Sequence, residues 1–385
     1  MQVAHVIYRS RPVLGGAEVY VEALRHALAE VASRQTVYQA ALGAGGAGIV
    51  QVPVPRRTGL KLLDFNLALA SRREEILGHD VVIVHNPEHL TGWLSGGRSI
   101  LVSHGATWTH ERGFVRRALR RSAMQSGFRR AGAVVANDSF VLRAMGIDAA
   151  PGARFREEVA PRVWFVPNPV DPSVFHPPAQ AARGMAPGVL PRAVTGPVVL
   201  VPRNLTRSRG IDLAIAAFAA ARTLPGEAHL VIAGDAIPDV PASVRYRAEL
   251  EALVHATGLT GRVHFLGGLP REAMPDLYRA AALTLIPTRS SEGTSLSALE
   301  SMATAVATIT TSVEGLLDLP EPHVRPEPAA LAAAIDRVWP VREELGRRQR
   351  AAVERDFGVA SWAAAWHGIV RAVAERRVPV QRRPR

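Results

Sequence analysis

The sequence contains no cysteine among its 385 residues. This absence excludes disulfide bonds, thiolate metal ligands and a cysteine nucleophile. The chain also lacks an apolar run of about 18 residues, the length that a membrane-spanning helix needs, so no such helix is predicted. Its N-terminal stretch MQVAHVIYRSRP has no basic start followed by an apolar segment of signal-peptide length, and it is typical of a strand that enters the fold. The lack of a membrane-spanning helix and of a signal peptide predicts a cytoplasmic protein, whereas the lack of cysteine does not by itself fix the compartment.

Lysine is nearly absent as well. Lys61 is the only lysine although the formal net charge is +12, so arginine supplies almost all of the basic character. A charge of this size favours a nucleic acid or an anionic surface as a partner. Arginine in an Ala-, Val- and Pro-rich chain is also what a high-GC genome produces, and we therefore expect no nucleic acid partner. A content of 48% hydrophobic and 21% charged residues is that of a globular chain, long enough here for two domains.

Apolar runs alternate with helical segments along both halves of the chain. In the first half the predicted strands are VAHVIY (3–8), VVIVH (81–85), SILVSHG (99–105) and AVVAN (133–137). In the second half they are VVLVP (198–202), HLVIAGD (229–235), VHFLGG (263–268) and LTLIPT (283–288). This alternation is typical of parallel sheets with helices on both faces. The predicted fold class is α/β, with two doubly wound, Rossmann-like domains that face each other across a cleft.

The domain boundaries follow from a Pro-, Ala- and Gly-rich stretch without periodicity. We predict an N-terminal domain over 1–178, a linker over 179–197, a C-terminal domain over 198–358, and a C-terminal helix with its tail over 359–385. One apolar face of that helix is formed by Trp362, Trp366, Ile369, Val370 and Val373. We expect this face to pack back toward the N-terminal domain.

A glycine pair follows the first predicted strand and opens the first helix. Gly15 and Gly16 allow a close approach of the backbone to a ligand, and the amides at a helix N-terminus favour a phosphate. A plain strand-to-helix turn, which carries such a pair equally well, is the alternative. The stretch matches neither the Gly-x-Gly-x-x-Gly dinucleotide fingerprint nor a Walker loop.

Two arginines follow the strand VVLVP, in the segment VPRNLTRSRG. Arg203 and Arg209 would lie at the carboxyl end of a strand, where two guanidiniums can clamp a diphosphate with charge-assisted hydrogen bonds. A solvated loop is the alternative.

Two carboxylates flank a turn in the segment SSEGTSLSALES. Glu292 falls in the loop, and Glu300 falls in the first turns of a helix that Ser295 or Ser297 can cap. Acidic acceptors on both sides of an anion-binding helix N-terminus suit the hydroxyls of a sugar and a ribose. The alternative is a capping acid together with a surface acid.

Two further features concern partners. His85, at the end of a predicted strand, is a candidate for acceptor binding. The basic segment 109–130 carries Phe114, Leu119 and Phe128 among many arginines. It can lie on anionic lipid at the inner face of the membrane or meet an acidic acceptor, and a solvated arginine-rich face is the alternative.

Seven short segments follow one another along nearly the whole chain. They are GGAE, VSHG (102–105), VPNPVDPSVFHP (166–177), RNLTRSRGIDLAIAAF, LVIAGD, VHFLGGLPREAMPDLYRAA and the Glu-x7-Glu segment closed by ESMA. In these segments the chain resembles the retaining family-4 glycosyltransferases of the GT-B fold, also described as glycosyl transferases group 1. Each segment alone is weak, but their order and spacing together are specific.

The resemblance implies a role for each matching residue. Gly16 would bring its backbone to the donor phosphates, and His104 would hydrogen-bond the donor sugar near the reacting carbon. Arg203 would bind the diphosphate. Arg209 would offer it a planar, bidentate guanidinium where the family usually has the point charge of lysine. The rest of the implied donor site consists of Glu292 with Gly293, Thr294, Ser295 and Leu296 at the hexose, Glu300 at the ribose, and Gly267, Gly268 and Leu269 at the base. The candidate catalytic residues are His104, Arg203, Arg209 and Glu292.

The sequence departs from the family pattern at three further places. GTSL stands where G-F-G-L is common, and Ala305 and Ala307 replace a glycine and a proline. Glu314 with Gly315 replaces a pair of glycines. These departures bear on donor preference more than on the fold.

The implied activity is the transfer of a hexose, with retention, from a UDP or GDP sugar to an acceptor hydroxyl by front-face attack. The nucleotide sugar is a co-substrate, and no cofactor or metal is expected, since no two aspartates are spaced as Asp-x-Asp. The N-terminal domain would bind the acceptor, which is a small molecule, a glycan or a lipid-linked compound. Two alternatives stay open: a nucleotide-sugar epimerase on the same fold, and a basic protein that binds nucleic acid or an anionic surface without catalysis.

Overall fold

The computed structural model describes residues 1–13, 15–42, 45–58, 60–110, 113–178, 188–236 and 241–375. Parts of three regions singled out from the sequence lie outside these residues, namely 179–187 of the predicted linker, 111–112 of the basic segment and 376–385 of the tail. The chain divides into two compact units. Unit 1 comprises Met1–Pro167 together with the chain from Ala360 onward, and unit 2 comprises Asn168–Val359.

The sheet of unit 1 has eight strands among the described residues. In chain order they are β1 (Gln2–Val6), β2 (Arg34–Ala40), β3 (Ile49–Val52), β4 (Val81–Val84), β5 (Gly96–Ser103), β6 (Ala131–Ala136), β7 (Glu157–Ala160) and β8 (Val163–Phe165). The order across the sheet is β3-β2-β1-β4-β5-β6-β8-β7, and only the β7–β8 pair is antiparallel. Both β4 and β6 are buried along their whole length, as expected of parallel strands covered on two faces.

The helices of unit 1 connect these strands. They are α1 (Gly16–Leu28), α2 (Lys61–Ala70), α3 (Arg73–Leu77), α4 (Phe114–Arg130) and α5 (Ser139–Ala144). α1 buries an apolar stripe that includes Tyr20, Val21 and Leu24, whose spacing of three to four residues keeps them on one face. α4 is different, because Phe114 and Leu119 point to solvent.

Unit 2 repeats the same plan. Its strands are β9 (Val198–Val201), β10 (His229–Ala233), β11 (Val263–Gly267), β12 (Leu283–Ile286), β13 (Thr308–Thr311) and β14 (His323–Val324). Its helices are α6 (Ile211–Ala220), α7 (Pro241–Ala256), α8 (Met274–Ala280), α9 (Leu296–Ala303), α10 (Pro328–Val338) and α11 (Arg342–Phe357). All pairs in the sheet are parallel, in the order β11-β10-β9-β12-β13-β14.

In both units the strand order reverses direction once near the middle of the sheet. The reversal lies between β1 and β4 in unit 1 and between β9 and β12 in unit 2. The helices that follow the strands at such a point leave on opposite faces, which opens a crevice at the carboxyl ends of the strands. The topology therefore predicts ligand sites at the residues that follow β1 and β4 in unit 1 and at those that follow β9 and β12 in unit 2.

The last helix, α12 (Val359–Glu375), returns the chain to unit 1. Trp362, Trp366, Ile369, Val370 and Val373, the face predicted from the sequence, are all buried. The indole Nε1 of Trp366 donates a hydrogen bond of 3.1 Å to the hydroxyl of Tyr20 in α1. In the part of the chain that the structure describes, no helix is long and apolar enough to cross a membrane.

Two of the departures from the family pattern have a left-handed backbone. Ala305 has φ 59° and Glu314 has φ 45°, a region in which a side chain is strained and glycine is not. Both stand where the family has glycine. Glycine is the residue that suits this backbone, so Ala305 and Glu314 are both strained.

Replacing Ala305 by glycine should therefore stabilise the protein. We expect Ala305→Gly to raise the free energy of unfolding by up to about 1 kcal/mol, because the penalty for a left-handed alanine is relieved. For a unit of this size that is about 2–4 °C in melting temperature. The control is Ala307→Gly, since Ala307 is buried without a positive φ and should lose stability. Equal losses in both variants, measured by thermal unfolding, would contradict this assignment of strain.

Candidate functional site

Arg203 lies just beyond β9, at the point of reversal in unit 2. Only 6% of its surface is exposed. Its backbone carbonyl passes so close to Gly234 that a Cβ there would lie 2.2 Å from the oxygen, so glycine is required at this crossing. One terminal nitrogen of Arg203 donates to Thr288 Oγ1 at 3.1 Å, and the other donates to Ser295 Oγ at 3.3 Å. The side chain is thus held on several sides.

Glu292 lies in the loop between β12 and α9 and is only 9% exposed. Its carboxylate forms ion pairs with both Arg203 and Arg209, which converge on the same oxygen, Oε2. The preceding residue, Ser291, has φ 63°, so the loop takes a strained turn just before it presents the carboxylate. The point of reversal in unit 2 therefore holds two guanidiniums on one buried acid, which we call the Arg-Glu cluster (Arg203, Arg209 and Glu292).

The cluster is an electropositive environment. Burial lowers the pKa of Arg203 to about 10, which leaves the guanidinium charged at neutral pH. Burial and the neighbouring charge of Arg203 also lower the pKa of Arg209. The Nε of Arg203 is buried and has no hydrogen-bond partner among the described residues. A buried charged donor without a partner is costly, and it marks a place where an anion can bind.

The family departures in this loop each make a contact. Thr294 Oγ1 accepts a hydrogen bond of 2.8 Å from the backbone N–H of Asn168, and the carbonyl of Thr294 accepts one of 2.5 Å from the Asn168 side chain. Ser295 precedes α9 as its N-cap residue without a capping bond, because its hydroxyl accepts from Arg203 instead. Glu314 Oε2 accepts the backbone N–H of Glu292 at 3.1 Å. The new polar groups thus hold the loop in place.

Glu300 forms a second acidic position, in the second turn of α9. One oxygen accepts from Arg271 and the other from the hydroxyl of Tyr278, both at 3.0 Å. Burial raises the pKa of Glu300, while the charge of Arg271 acts in the opposite direction. Two donors leave part of the accepting capacity of the carboxylate free.

The end of β11 borders the same region. Gly267 has φ 74°, and the backbone N–H of Gly268 donates to Asp235 Oδ2 at 3.2 Å. Leu269 follows, and the chain then reaches Arg271, the partner of Glu300. The predicted residues Gly267, Gly268 and Leu269 are thereby linked along the chain to the predicted ribose contact.

The predicted residues of unit 1 lie at the point of reversal of its own sheet. His85 follows β4 and His104 follows β5, and the two imidazoles form a hydrogen bond of 3.3 Å. His85 is fully buried. Gly15 precedes α1 with an extended backbone, and Gly16 is the first residue of that helix.

Several residues of the site were not assigned a role from the sequence. Thr288 and Glu314 stabilise the Arg-Glu cluster, and Arg271 and Tyr278 hold Glu300. Asn168, which precedes Thr294 by 126 positions in sequence, donates a hydrogen bond to it in the loop between β12 and α9. Arg271, Tyr278 and Asn168 all fall in segments that carried the family resemblance, so the signal was present, but it did not reveal their partners.

No three His, Asp or Glu side chains come together as a metal site in the described ranges. A metal would have to be held in some other way than by such a group.

The second half of the chain is similar in sequence to known proteins. Residues 187–353 match the family model described as Glycosyl transferases group 1. The chain is 31% identical over 157 residues to mannosylfructose-phosphate synthase of Agrobacterium fabrum, an alignment that covers 40% of this chain and 33% of that protein. It is 32% identical over 201 residues to D-inositol 3-phosphate glycosyltransferase of Acidothermus cellulolyticus, covering 48% and 43%. The matches thus span less than half the length of these relatives.

Solved structures are similar over much more of the chain. Sucrose-phosphate synthase from Thermosynechococcus elongatus has a TM-score of 0.80 at 20% identity, covering 97% of this chain and 99% of that one. Anabaena HepE in complex with UDP-glucose has a TM-score of 0.72 at 18% identity, covering 98% and 99%. Identities this low show the fold alone. Residues 187–353 are thus similar to the glycosyl transferases group 1, and over nearly its whole length the chain has the fold of these solved structures, the GT-B fold that the sequence resemblance implied.

Proposed function

We propose that the protein is a retaining, metal-independent glycosyltransferase that moves a hexose from a nucleotide diphosphate sugar to an acceptor hydroxyl. The observation that carries this proposal is the Arg-Glu cluster at the point of reversal in unit 2. Ligands of open α/β sheets bind at this point. Anabaena HepE, a protein of the same fold, has been solved with UDP and with UDP-glucose, so UDP sugars are the first donors to test, with GDP sugars beside them.

The diphosphate would bind to Arg203 and Arg209, next to the N-terminal amides of α9. The unpaired Nε of Arg203 and the polarity of a helix N-terminus both favour an anion there. Both guanidiniums are now paired with the single carboxylate of Glu292, so the phosphates would compete with this carboxylate. Once displaced, Glu292 would accept hydrogen bonds from the hexose hydroxyls, with the backbone from Gly293 to Leu296 beside it.

The nucleoside would occupy the neighbouring region. Glu300 is fixed by Arg271 and Tyr278 and keeps lone pairs that suit the two ribose hydroxyls. The backbone of Gly267, Gly268 and Leu269 would face the base, which explains how the fold can accept different bases without a dedicated side chain.

The reaction would proceed on one face of the sugar. The bond between the anomeric carbon and the diphosphate oxygen breaks as the acceptor oxygen forms its bond to the same carbon, and the departing phosphate oxygen takes the acceptor proton. Arg203 and Arg209 would stabilise the negative charge that develops on the leaving group. In unit 1, Gly15 and Gly16 would bring backbone close to the phosphates, and His104 would hydrogen-bond the hexose.

Unit 1 would bind the acceptor, and α4 would bring the protein to an anionic membrane surface. Phe114, Val115 and Leu119 are 86%, 67% and 65% exposed. The helix has arginines on several sides and no acidic residue in its sequence FVRRALRRSAMQSGFRR. Exposed apolar side chains between arginines are the combination that inserts into an anionic interface.

The first test removes the diphosphate clamp. Arg203→Ala should lower the release of UDP from UDP-glucose by at least about 100-fold, because a charge-stabilising donor is lost. It should also abolish the rise in melting temperature that UDP or GDP produces in the wild type. Arg207→Ala is the matched control, since Arg207 lies in the same loop but pairs with the exposed Glu249. Wild-type turnover by Arg203→Ala would refute the site, and conversion of the donor without an acceptor would select an epimerase.

The second test separates nucleotide binding from transfer. Glu292→Gln removes the negative charge that pairs with both arginines, so UDP should bind about tenfold more tightly, while transfer slows because the amide is a weaker acceptor for the hexose. Glu249→Gln makes the same change of charge outside the cluster and should alter neither quantity. Calorimetry with UDP and a turnover assay measure the two effects. Weaker binding of UDP by Glu292→Gln would contradict the competition proposed above.

The third test concerns the membrane. Replacing Phe114 and Leu119 together by serine should reduce co-sedimentation with vesicles that contain anionic lipid by about fivefold or more, and high salt should reduce it in the wild type. Val244→Ser is the control, because Val244 is an exposed apolar residue on α7 in unit 2. Equal binding of wild type and double variant, or equal binding to neutral vesicles, would rule out α4 as the contact.

A further inference from the structure

Three histidines of unit 1 form one hydrogen-bonded line, the histidine chain (His5, His85 and His104). His5 Nδ1 lies 3.2 Å from His85 Nε2, and His85 Nδ1 lies 3.3 Å from His104 Nε2. The planes of neighbouring rings differ by only 19° and 10°. The chain runs across β1, β4 and the end of β5, which are adjacent strands, so the sheet itself sets the spacing of the rings.

All three imidazoles are neutral. Burial lowers the pKa of His5 and of His104 to about 4, and it lowers the pKa of His85 further below its ordinary value, with a contribution from its two neighbours. A neutral imidazole has one N–H and one accepting nitrogen. The tautomers along the chain must therefore all point in one direction, because each hydrogen bond needs one donor and one acceptor.

Gln35 determines that direction. Its side-chain nitrogen donates to the backbone carbonyl of Arg25 at 2.7 Å, and a carbonyl can only accept. The amide oxygen of Gln35 is thereby turned toward His5 Nε2, at 3.1 Å, so this nitrogen must carry the proton. It follows that His85 donates from Nε2 to His5, and that His104 donates from Nε2 to His85.

We propose that Gln35, His5 and His85 are positioning residues that hold His104 in the tautomer with the proton on Nε2. His104 Nδ1 is then an obligatory acceptor. It has no hydrogen-bond partner among the described residues, and part of the His104 surface is exposed. His104 can therefore accept a hydrogen bond from a ligand hydroxyl but cannot donate one. That the hydroxyl belongs to the donor hexose rests on the proposed function; the tautomer does not.

Two other roles of the chain fit less well. A proton conduit needs an exit, and this chain ends at the amide of Gln35 and the carbonyl of Arg25, neither of which takes up a proton at ordinary pH. A metal site needs nitrogens that converge on one point, whereas the facing nitrogens of the chain are paired with each other.

The ring of His104 is also fixed by packing. Tyr20 stands edge-on to it, with ring centroids 4.8 Å apart and planes at 82°. The hydroxyl of Tyr20 is in turn held by Trp366 of α12. The orientation of the His104 ring and its tautomer are thus set by separate contacts. A change at Gln35 can therefore alter the tautomer and leave the ring orientation as it is.

The direct test is nuclear magnetic resonance of the full chain labelled with isotopic histidine nitrogen, since the two nitrogens of a neutral ring differ strongly in shift when only one is protonated. The signals of His104 are identified by their loss in His104→Asn. We expect a single tautomer with the proton on Nε2 in the wild type and a mixture in Gln35→Leu. A proton on Nδ1 of His104 in the wild type would overturn the proposal.

Kinetics provide the second readout. Gln35→Leu should lower kcat for release of UDP from UDP-glucose about tenfold, the effect of one lost or misdirected hydrogen bond. The affinity for UDP alone should not change, because UDP lacks the hexose. Gln51→Leu, in the neighbouring strand β3, controls for the same substitution in the same sheet. An unchanged kcat and tautomer in Gln35→Leu would overturn the proposal. If the wild type binds no nucleotide, the proposed function fails while the tautomer measurement still decides the role of Gln35.

Discussion

The proposed site in unit 2 depends on one interaction, the ion pairs that the carboxylate of Glu292 forms with Arg203 and Arg209. Arg203 is buried, Arg209 is partly exposed and both follow β9, so without this acid the two guanidiniums would repel each other. The sheet brings these loops together, since β9 and β12 are parallel neighbours whose carboxyl ends meet. The loop after β12 accepts a left-handed serine to deliver the carboxylate. Much of the local structure therefore serves to keep charges together that a ligand would have to separate.

The departures from the family pattern are explained by the same constraint. Where the family has glycines, Glu314 keeps the left-handed backbone and uses its carboxylate to hold the N–H of Glu292. Thr294 and Ser295 replace groups without a hydroxyl and direct their hydroxyls to Asn168 and Arg203. The loop has lost conformational freedom and gained polar contacts. Such a loop is preorganised, and a preorganised site loses less free energy in ordering when a ligand binds.

In unit 1 the polar groups of the proposed site are neutral. Its point of reversal contains imidazoles and an amide, and every internal hydrogen bond in the line from Gln35 to His104 can be satisfied in only one direction. A buried polar network that is fully satisfied specifies one arrangement, and it avoids the cost of burying charge. Charged arginines are used where a diphosphate is proposed to bind, whereas His104 offers a neutral acceptor to a sugar hydroxyl.

The sequence by itself determined the architecture, because strands buried on both faces read as continuous apolar runs and parallel sheets need helices between them. The apolar runs of β4, β9, β10 and β12 were all predicted within one or two residues. Short or mixed strands such as β2 and β14 were not, since their pattern is not continuous. Tertiary structure alone decided which groups meet. Arg203 and Glu292 are 89 positions apart, and Gln35 and His5 are 30 apart. Hydrogen bonds depend on distance and direction in space, and neither can be derived from the local sequence pattern.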